Sequence, residues 1–320
     1  MKNWLLVVLL AFCASAVSAQ EFPTRPIRFL VSYPPGGGVD FMARLVASDL
    51  EKRLGQPIAV ENRPGGGGAL GVSLVAKAPA DGYTVLVTGD APITQLPLLS
   101  KTSYDPYKDL TALVKGVTVP TSVIVAANAP YKTFAELIQF ARANPGKLSY
   151  GTPGNGSAMH AELEMLKDRL KVDIVHVPYK GAPPIIADAI GGQISIGAPG
   201  LPPTIGSIKA GQLRLLAVWG NSRVGVFPDV PTVREASGDD SLGGMPTWYG
   251  FLLPTGVPPA IAKRLETAIV AALRSDTVAR RLADAGATVS AETSETFDRS
   301  NRAQTAAFAQ IFQRLGLKAE

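Results

Sequence analysis

The chain is poor in the side chains on which most metal sites and many hydrolases depend. It contains one cysteine and two histidines in 320 residues. The cysteine, Cys13, falls within the first nineteen residues, so we expect the mature protein to have no disulfide and no cysteine-based metal site. The two histidines, His160 and His176, do not have the spacing of metal ligands on one helix. A Gly-x-Ser-x-Gly nucleophile elbow is also absent. We therefore expect no metal, no cofactor and no catalytic residues.

Charge is sparse and only mildly unbalanced. Charged residues make up 18% of the chain, with 31 Lys and Arg against 26 Asp and Glu. No basic run is present, so we expect no nucleic-acid partner. The small positive excess modestly favours anionic ligands through long-range attraction.

Long apolar runs are confined to the N-terminus. Lys2 precedes the apolar stretch Trp4–Phe12, and the small residues at 17–19 follow it, which is typical of a secretory signal peptide. We predict a signal peptide at residues 1–19, cleavage after Ala19 and a periplasmic location. The apolar run is short for a membrane span. A lipoprotein acylated at Cys13 is disfavoured, since a bulky Phe precedes that cysteine.

Apolar segments that favour strands alternate with helical segments along most of the chain. The strand Pro26–Tyr33 leads to a helix with apolar residues from Val39 to Leu54. This alternation predicts an α/β fold with parallel, buried strands. The length favours two lobes, because one core seldom grows this large.

The two lobes are assigned from the order of these segments. We place lobe 1 at residues 20–121 and 247–320, and lobe 2 at residues 122–246, including a linker rich in Pro, Gly and Asp. The last two helices show no strand between them, and we expect both to pack on lobe 1. We expect a monomer.

Each lobe carries a glycine-rich loop between a strand and a helix. The first loop spans Gly36–Gly38, and the second spans Gly151–Ser157. Glycine allows the backbone to approach a ligand closely, and the start of a helix presents free N–H groups and a positive dipole end. Two such loops facing one cleft would hold a carboxylate from both sides. The alternative is that these glycines only form tight turns.

Ordered motifs along the whole mature chain resemble the Bug (Bordetella uptake gene) family, also called tripartite tricarboxylate transporter substrate-binding proteins. The motifs are Pro26-Ile27-Arg28, Pro34-Pro35-Gly36-Gly37-Gly38-Val39-Asp40, Leu54-Gly55-Gln56-Pro57, Glu61-Asn62-Arg63-Pro64-Gly65, Ala80-Asp81-Gly82-Tyr83-Thr84, Ala141-Arg142-Ala143-Asn144-Pro145-Gly146, His176-Val177-Pro178-Tyr179-Lys180-Gly181 and Pro228-Asp229-Val230-Pro231-Thr232. The resemblance implies a two-lobed periplasmic binding protein fold with a ligand cleft between the lobes. It implies capture of a small carboxylate-bearing or amide-containing solute by lobe closure. Delivery to the membrane subunits of a tripartite tricarboxylate-type transporter is also implied.

The candidate ligand-binding residues come from the two loops and their flanks. They are Tyr33, Pro35, Gly36, Gly37, Gly38, Asp40, Asp90, Gly151, Thr152, Gly154, Asn155, Gly156, Ser157, His160, Tyr179, Lys180 and Pro199. Asp40 is expected to order the first loop rather than to contact the ligand. His160, Tyr179 and Lys180 each have an equally plain structural or solvated alternative.

Asp90 departs from the family pattern, which often has small or hydroxylated residues after this strand. A carboxylate facing the cleft would disfavour a purely anionic di- or tricarboxylate. It would favour an amino acid, an amide or another ligand that carries a hydrogen-bond donor. The alternative is an aspartate that caps the following turn.

Two other functions remain open from the sequence. A sensor accessory protein would use the same closure to present its ligand to a membrane signalling protein. A secreted enzyme is the second alternative, but its only nucleotide-like motif, Gly66-x-Gly68-x-x-Gly71, is separated from the preceding strand by four residues and is interpreted as a chance match.

Overall fold

The computed structural model describes residues 22–220, 222–244 and 247–316. The predicted signal peptide, with Cys13, lies outside these residues. The described part forms two β-sheets with helices packed against them, so the predicted two-sheet α/β architecture is confirmed.

The first sheet has six strands in the order β11-β4-β10-β3-β1-β2. The second sheet has five strands in the order β7-β6-β8-β5-β9. The strands are β1 Ile27–Val31, β2 Ile58–Asn62, β3 Thr84–Gly89, β4 Leu110–Val119, β5 Thr121–Ala126, β6 Leu148–Thr152, β7 Ile174–Pro178, β8 Ile196–Gly197, β9 Leu213–Trp219, β10 Thr247–Pro254 and β11 Thr288–Thr293.

Helices connect most of these strands. They are α1 Gly38–Leu54, α2 Ala69–Ala76, α3 Leu96–Leu99, α4 Phe134–Ala143, α5 Ala158–Leu170, α6 Ala182–Ile190, α7 Ile205–Lys209, α8 Val233–Ser237, α9 Pro259–Leu273, α10 Asp276–Asp284 and α11 Ser294–Leu315. Short 3₁₀ turns cover Gly66–Gly68, Pro202–Thr204 and Asp240–Leu242, and a single π-helical turn covers Ala91–Gln95.

The sequence predicts parallel sheets, but both sheets are mixed. Strands β1, β2 and β3 pair in parallel, whereas β10 pairs antiparallel with both β3 and β4. In the second sheet β6 pairs in parallel with β7 and β8, and β5 is antiparallel to β8 and β9. The parallel strands are the ones that helices connect, since a parallel pair needs a crossover.

The expectation that no strand separates the last two helices is wrong. Strand β11 lies between α10 and α11 and forms the edge of the first sheet beside β4. Its sequence, TVSAET, lacks a continuous apolar run, and its register with β4 shifts between Val289 and Glu292. Ala291 has a positive φ of 46° at this irregularity.

The final helix contacts both halves of the molecule rather than only the first. Near its start, Phe297 packs edge-on against Trp248 of β10, with ring centroids 4.8 Å apart. Near its end, Phe308 and Phe312 are buried in the core of the second sheet, together with residues such as Leu163 of α5. The chain also passes between the sheets at Pro120 and between β9 and β10.

No helix within the described ranges is long and apolar enough to cross a bilayer. These described ranges contain no cluster of His, Cys, Asp and Glu able to hold a metal ion.

Candidate functional site

A cavity of about 60 Å³ lies between the two sheets, where the carboxyl ends of several strands meet. That space holds a few water molecules or one compact solute. The predicted candidates that line the cavity are Tyr33, Gly37, Gly38, Asp90, Gly154, Asn155, Gly156 and Ser157. The structure therefore brings residues of both glycine loops to one cavity.

The first loop leads from β1 into helix α1. Gly37 is the N-cap in extended backbone, and no side chain caps the helix. The first N–H groups of α1 are therefore available beside the cavity. Gly38 must lack a side chain, because a Cβ there would lie 2.6 Å from the hydroxyl oxygen of Tyr249.

Asp40 holds this loop in place from outside the cavity. Its carboxylate accepts hydrogen bonds from Gly36 N (3.0 Å), Arg44 Nε (3.0 Å) and Asn62 Nδ2 (3.0 Å). Burial raises the pKa of Asp40, but the hydrogen bonds from Arg44, Gly36 and Asn62 outweigh burial and hold that pKa below its usual value. The carboxylate thus stays ionised and ties the loop to both α1 and β2.

The second loop leads from β6 into helix α5. Ser157 caps this helix, since its side-chain oxygen accepts a hydrogen bond from His160 N at 3.2 Å. Gly156 has a φ of +70°, and a Cβ there would overlap the side chain of Leu99. A Cβ on Gly154 would lie 3.9 Å from the Cα of Gly67, so this loop closely approaches the glycine loop after β2.

The two histidines support the second loop from behind. His160 Nδ1 accepts a hydrogen bond from Gly156 N at 3.0 Å, so it does not line the cavity. Its ring stacks on His176, with centroids 3.9 Å apart, and His176 Nε2 lies 2.7 Å from Thr152 Oγ1. Burial lowers the pKa of both histidines, to about 4 for His176, where the nearby His160 adds to the effect. Both rings are therefore neutral at pH 7.

The remaining candidates lie outside the cavity lining, each for a visible reason. Pro35 and Gly36 are exposed on the outer side of the first loop, while Gly151 and Thr152 are buried within β6. Tyr179 donates its hydroxyl to Asp188 Oδ2 at 2.7 Å. Lys180 borders a smaller neighbouring cavity, and the carbonyl of Pro199 accepts hydrogen bonds from Ser122.

Several lining residues are absent from the sequence-based candidates. They are Pro34, Val39, Gly67, Gly89, Ala91, Leu96, Pro153, Met159, Gly181, Ala182, Pro183, Gly200, Thr247 and Tyr249. Gly181 carried a usable signal, because it precedes helix α6 and supplies a third helix start. Thr247 and Tyr249 carried none, since they reach the cavity from β10, which is distant in sequence from both loops.

Asp90 lies in the cavity wall directly after β3. It is 3% exposed. Its Oδ2 accepts from Gln95 Nε2 at 3.1 Å and from Gln304 Nε2 at 3.5 Å. Burial raises the pKa of Asp90 to about 7, against the lowering effect of hydrogen bonds from Gln95 and from the backbone N–H groups of Asp90 and Ala91, and of the more distant Lys115.

Comparison with known proteins gives consistent matches over most of the chain. The family model described as "Tripartite tricarboxylate transporter family receptor" matches residues 42–317. Protein BugT of Bordetella pertussis is 34% identical over 291 residues, which cover 89% of each chain.

Two solved structures that are about 30% identical to this chain carry named ligands. Rpa4515 of R. palustris with adipate superposes with a TM-score of 0.89 at 31% identity, covering 93% of this chain and all of that one. MatC from Rhodopseudomonas palustris with bound malate gives a TM-score of 0.84 at 28% identity, covering 91% and 99% of the two chains.

Proposed function

Because this chain belongs to the family of tripartite tricarboxylate transporter receptors, we propose that it captures a small carboxylate-bearing solute in the periplasm and delivers it to the membrane subunits of such a transporter. The solute binds in the cavity between the two sheets. The role is binding and release, without a chemical step. The binding of adipate and malate by two similar proteins supports this class of ligand.

One observation carries the proposal: the N-terminus of α1, from the first sheet, and that of α5, from the second, line the same cavity. Each end directs backbone N–H groups and the positive end of a helix dipole towards it. A carboxylate accepts several hydrogen bonds in a fixed geometry, and two opposed helix ends supply them without a basic side chain.

Contacts across the cleft support capture by closure of the two lobes. A Cβ on Gly181, before α6, would lie 3.0 Å from Pro34 Cδ of the first loop, and the second loop approaches Gly67. A ligand that bridges both helix ends favours this arrangement over an open one, because only the closed form offers both sets of donors.

The proposal is tested by thermal-shift and calorimetric binding measurements with adipate, malate, succinate and succinamate. A ligand that binds only the folded protein raises its unfolding midpoint. Gly37→Leu is the informative variant: its backbone is extended and a Cβ would meet only the carbonyl of Pro34, at 3.4 Å. The larger side chain then extends into the cavity and abolishes the shift.

Gly206→Leu is the matched control, because nothing lies within 4 Å of a Cβ there and Gly206 does not line the cavity. This variant is expected to respond to ligand as the wild type does. Gly154 is a poorer test position, since its φ of +151° strains any side chain. Equal ligand responses in Gly37→Leu and the wild type would refute the site.

A further inference from the structure

The cavity lining combines the positive ends of helix dipoles with one acidic residue. Helix ends α1, α5 and α6 border it at Gly38, Ser157 and Ala182, and each presents a positive dipole end. Asp90 lines another part of the cavity. No Lys, Arg or His is among the described residues that line the cavity. A solute with two anionic ends would find helix dipoles for one end but no cation for the other.

Asp90 also lacks a cationic partner of its own. Its hydrogen-bond donors are neutral: the side-chain amides of Gln95 and Gln304 and the backbone N–H groups of Asp90 and Ala91. Lys115 is the cation that acts on it electrostatically, but the ammonium group of Lys115 bonds to Glu292 at 3.1 Å. Burying a carboxylate without an opposite charge is costly, so a donor from the ligand would stabilise its ionised form.

Thr247 is a second polar residue at the cavity, beside Asp90. Thr247 lines the cavity and is 2% exposed, and its Oγ1 is buried without a hydrogen-bond partner in the part of the chain that the structure describes. Buried polar atoms are nearly always paired, so the Thr247 hydroxyl indicates a polar ligand atom at this wall.

We infer that Asp90 determines specificity, selecting a compact monocarboxylate that carries an ammonium or amide donor and rejecting the matching dicarboxylate. This rests on the proposed function. The ligand's carboxylate lies at the helix ends, and its donor group hydrogen-bonds to Asp90. Adipate and malate, named with two similar proteins, therefore bind this chain more weakly than their monoamide counterparts.

The experiment compares pairs that differ only in carboxylate against carboxamide and that carry no ammonium group: succinate with succinamate, and glutarate with glutaramate. Affinities are measured by calorimetry at pH 8 for the wild type and Asp90→Asn. A hydrogen bond to a charged group implies roughly a tenfold or greater preference of the wild type for the amide. Asp90→Asn, which keeps the size but removes the charge, reduces that preference at least about tenfold.

Asp109→Asn is the matched control. Its Oδ2 accepts a local backbone hydrogen bond from Asp105 N at 2.8 Å, and Asp109 is not among the residues that line the cavity. This variant keeps the wild-type amide preference. Circular dichroism establishes that each variant is folded.

A wild-type pH series provides a second measurement should Asp90→Asn fail to fold. The preference for succinamate over succinate shrinks from pH 8 to pH 6.5 as Asp90 takes up a proton. The other titratable groups acting on or near Asp90 are Tyr33, Tyr249 and Lys115; burial raises the pKa of both tyrosines, away from this interval.

Two results overturn the specificity role of Asp90: a preference of the wild type for the dicarboxylates, or the same preference in the wild type and in Asp90→Asn. In both cases the protein still binds the solutes, so the proposed function stands. Failure of the wild type to bind any of the four solutes, or adipate and malate, overturns both.

Discussion

Tyr249 is wedged between Gly38, at the start of α1, and Gly200, which follows β8, and this arrangement tests the packing around the cavity. A Cβ on Gly200, which follows β8, would lie 2.7 Å from the Tyr249 hydroxyl oxygen, and its next neighbour would be 3.7 Å away. A Cβ on Gly38 would lie 2.6 Å from the same oxygen and also 2.8 and 3.0 Å from ring carbons Cε2 and Cζ. Only the first clash depends on the hydroxyl alone.

The size of the effect follows from overpacking. Tyr249 is 7% exposed and cannot swing away from one glycine without approaching the other. Forcing a methyl group into such a site costs about 1–3 kcal/mol of unfolding free energy. Neither glycine has a positive φ, so backbone strain does not add to that figure. Gly200→Ala and Gly38→Ala should therefore each destabilise the protein by this amount.

A double-mutant cycle with Tyr249→Phe separates the two cases. Urea unfolding of the ligand-free protein is measured for the wild type, each single variant and each pair. Tyr249→Phe should cancel most of the cost of Gly200→Ala, with a coupling of about 0.5–3 kcal/mol, but little of the cost of Gly38→Ala. An equal cost of Gly200→Ala in both backgrounds would refute this reasoning. An unchanged unfolding free energy for Gly200→Ala would also refute it, because the two lobes would then be able to separate at this contact.

Two other outcomes are expected from the packing. The pKa of His176 is lowered to about 4, below its unfolded value of about 6.5, so the unfolded chain binds more protons between these values. Burial of Asp90 raises its pKa to about 7 and acts in the opposite sense over the same interval, so the contribution of His176 is the difference in unfolding free energy between the wild type and His176→Asn. That difference, measured by urea unfolding, should be constant above about pH 6.5 and decrease towards pH 4, and a difference that does not vary with pH would contradict it. Phe312→Ala should lower the unfolding free energy by about 3–5 kcal/mol, against a small change for the exposed Gln310→Ala; similar values for both would contradict the burial of Phe312.

Local signals in the sequence predict the two glycine loops and their helices well. Helix α1 begins at Gly38, and α5 begins after the capping residue Ser157, because the periodic apolar residues and the cap lie within a few positions of each other. Asp90 could likewise be singled out from its position at the end of a strand. Such features depend on neighbours along the chain, which the sequence displays directly.

The strands that the sequence does not reveal are those that pair with partners distant along the chain. Strand β4 is buried along most of its length, so it has no alternation of apolar and polar residues, and Lys115 and Gly116 interrupt its apolar run. Its neighbours β10 and β11 come from more than a hundred residues later in the chain.

The same limit explains the polarity of the cavity. The two helix ends are visible in the sequence, but another part of the cavity lining is built from Asp90, Thr247 and Tyr249, which only the antiparallel pairing of β10 with β3 brings together. Tyr249 lies opposite Gly89 in that register, one residue before Asp90. A receptor fold can therefore retain its carboxylate-binding loops while this pairing presents a different wall to the ligand. Selectivity among carboxylates should then follow substitutions on β10 and at the end of β3 more closely than substitutions in the glycine loops.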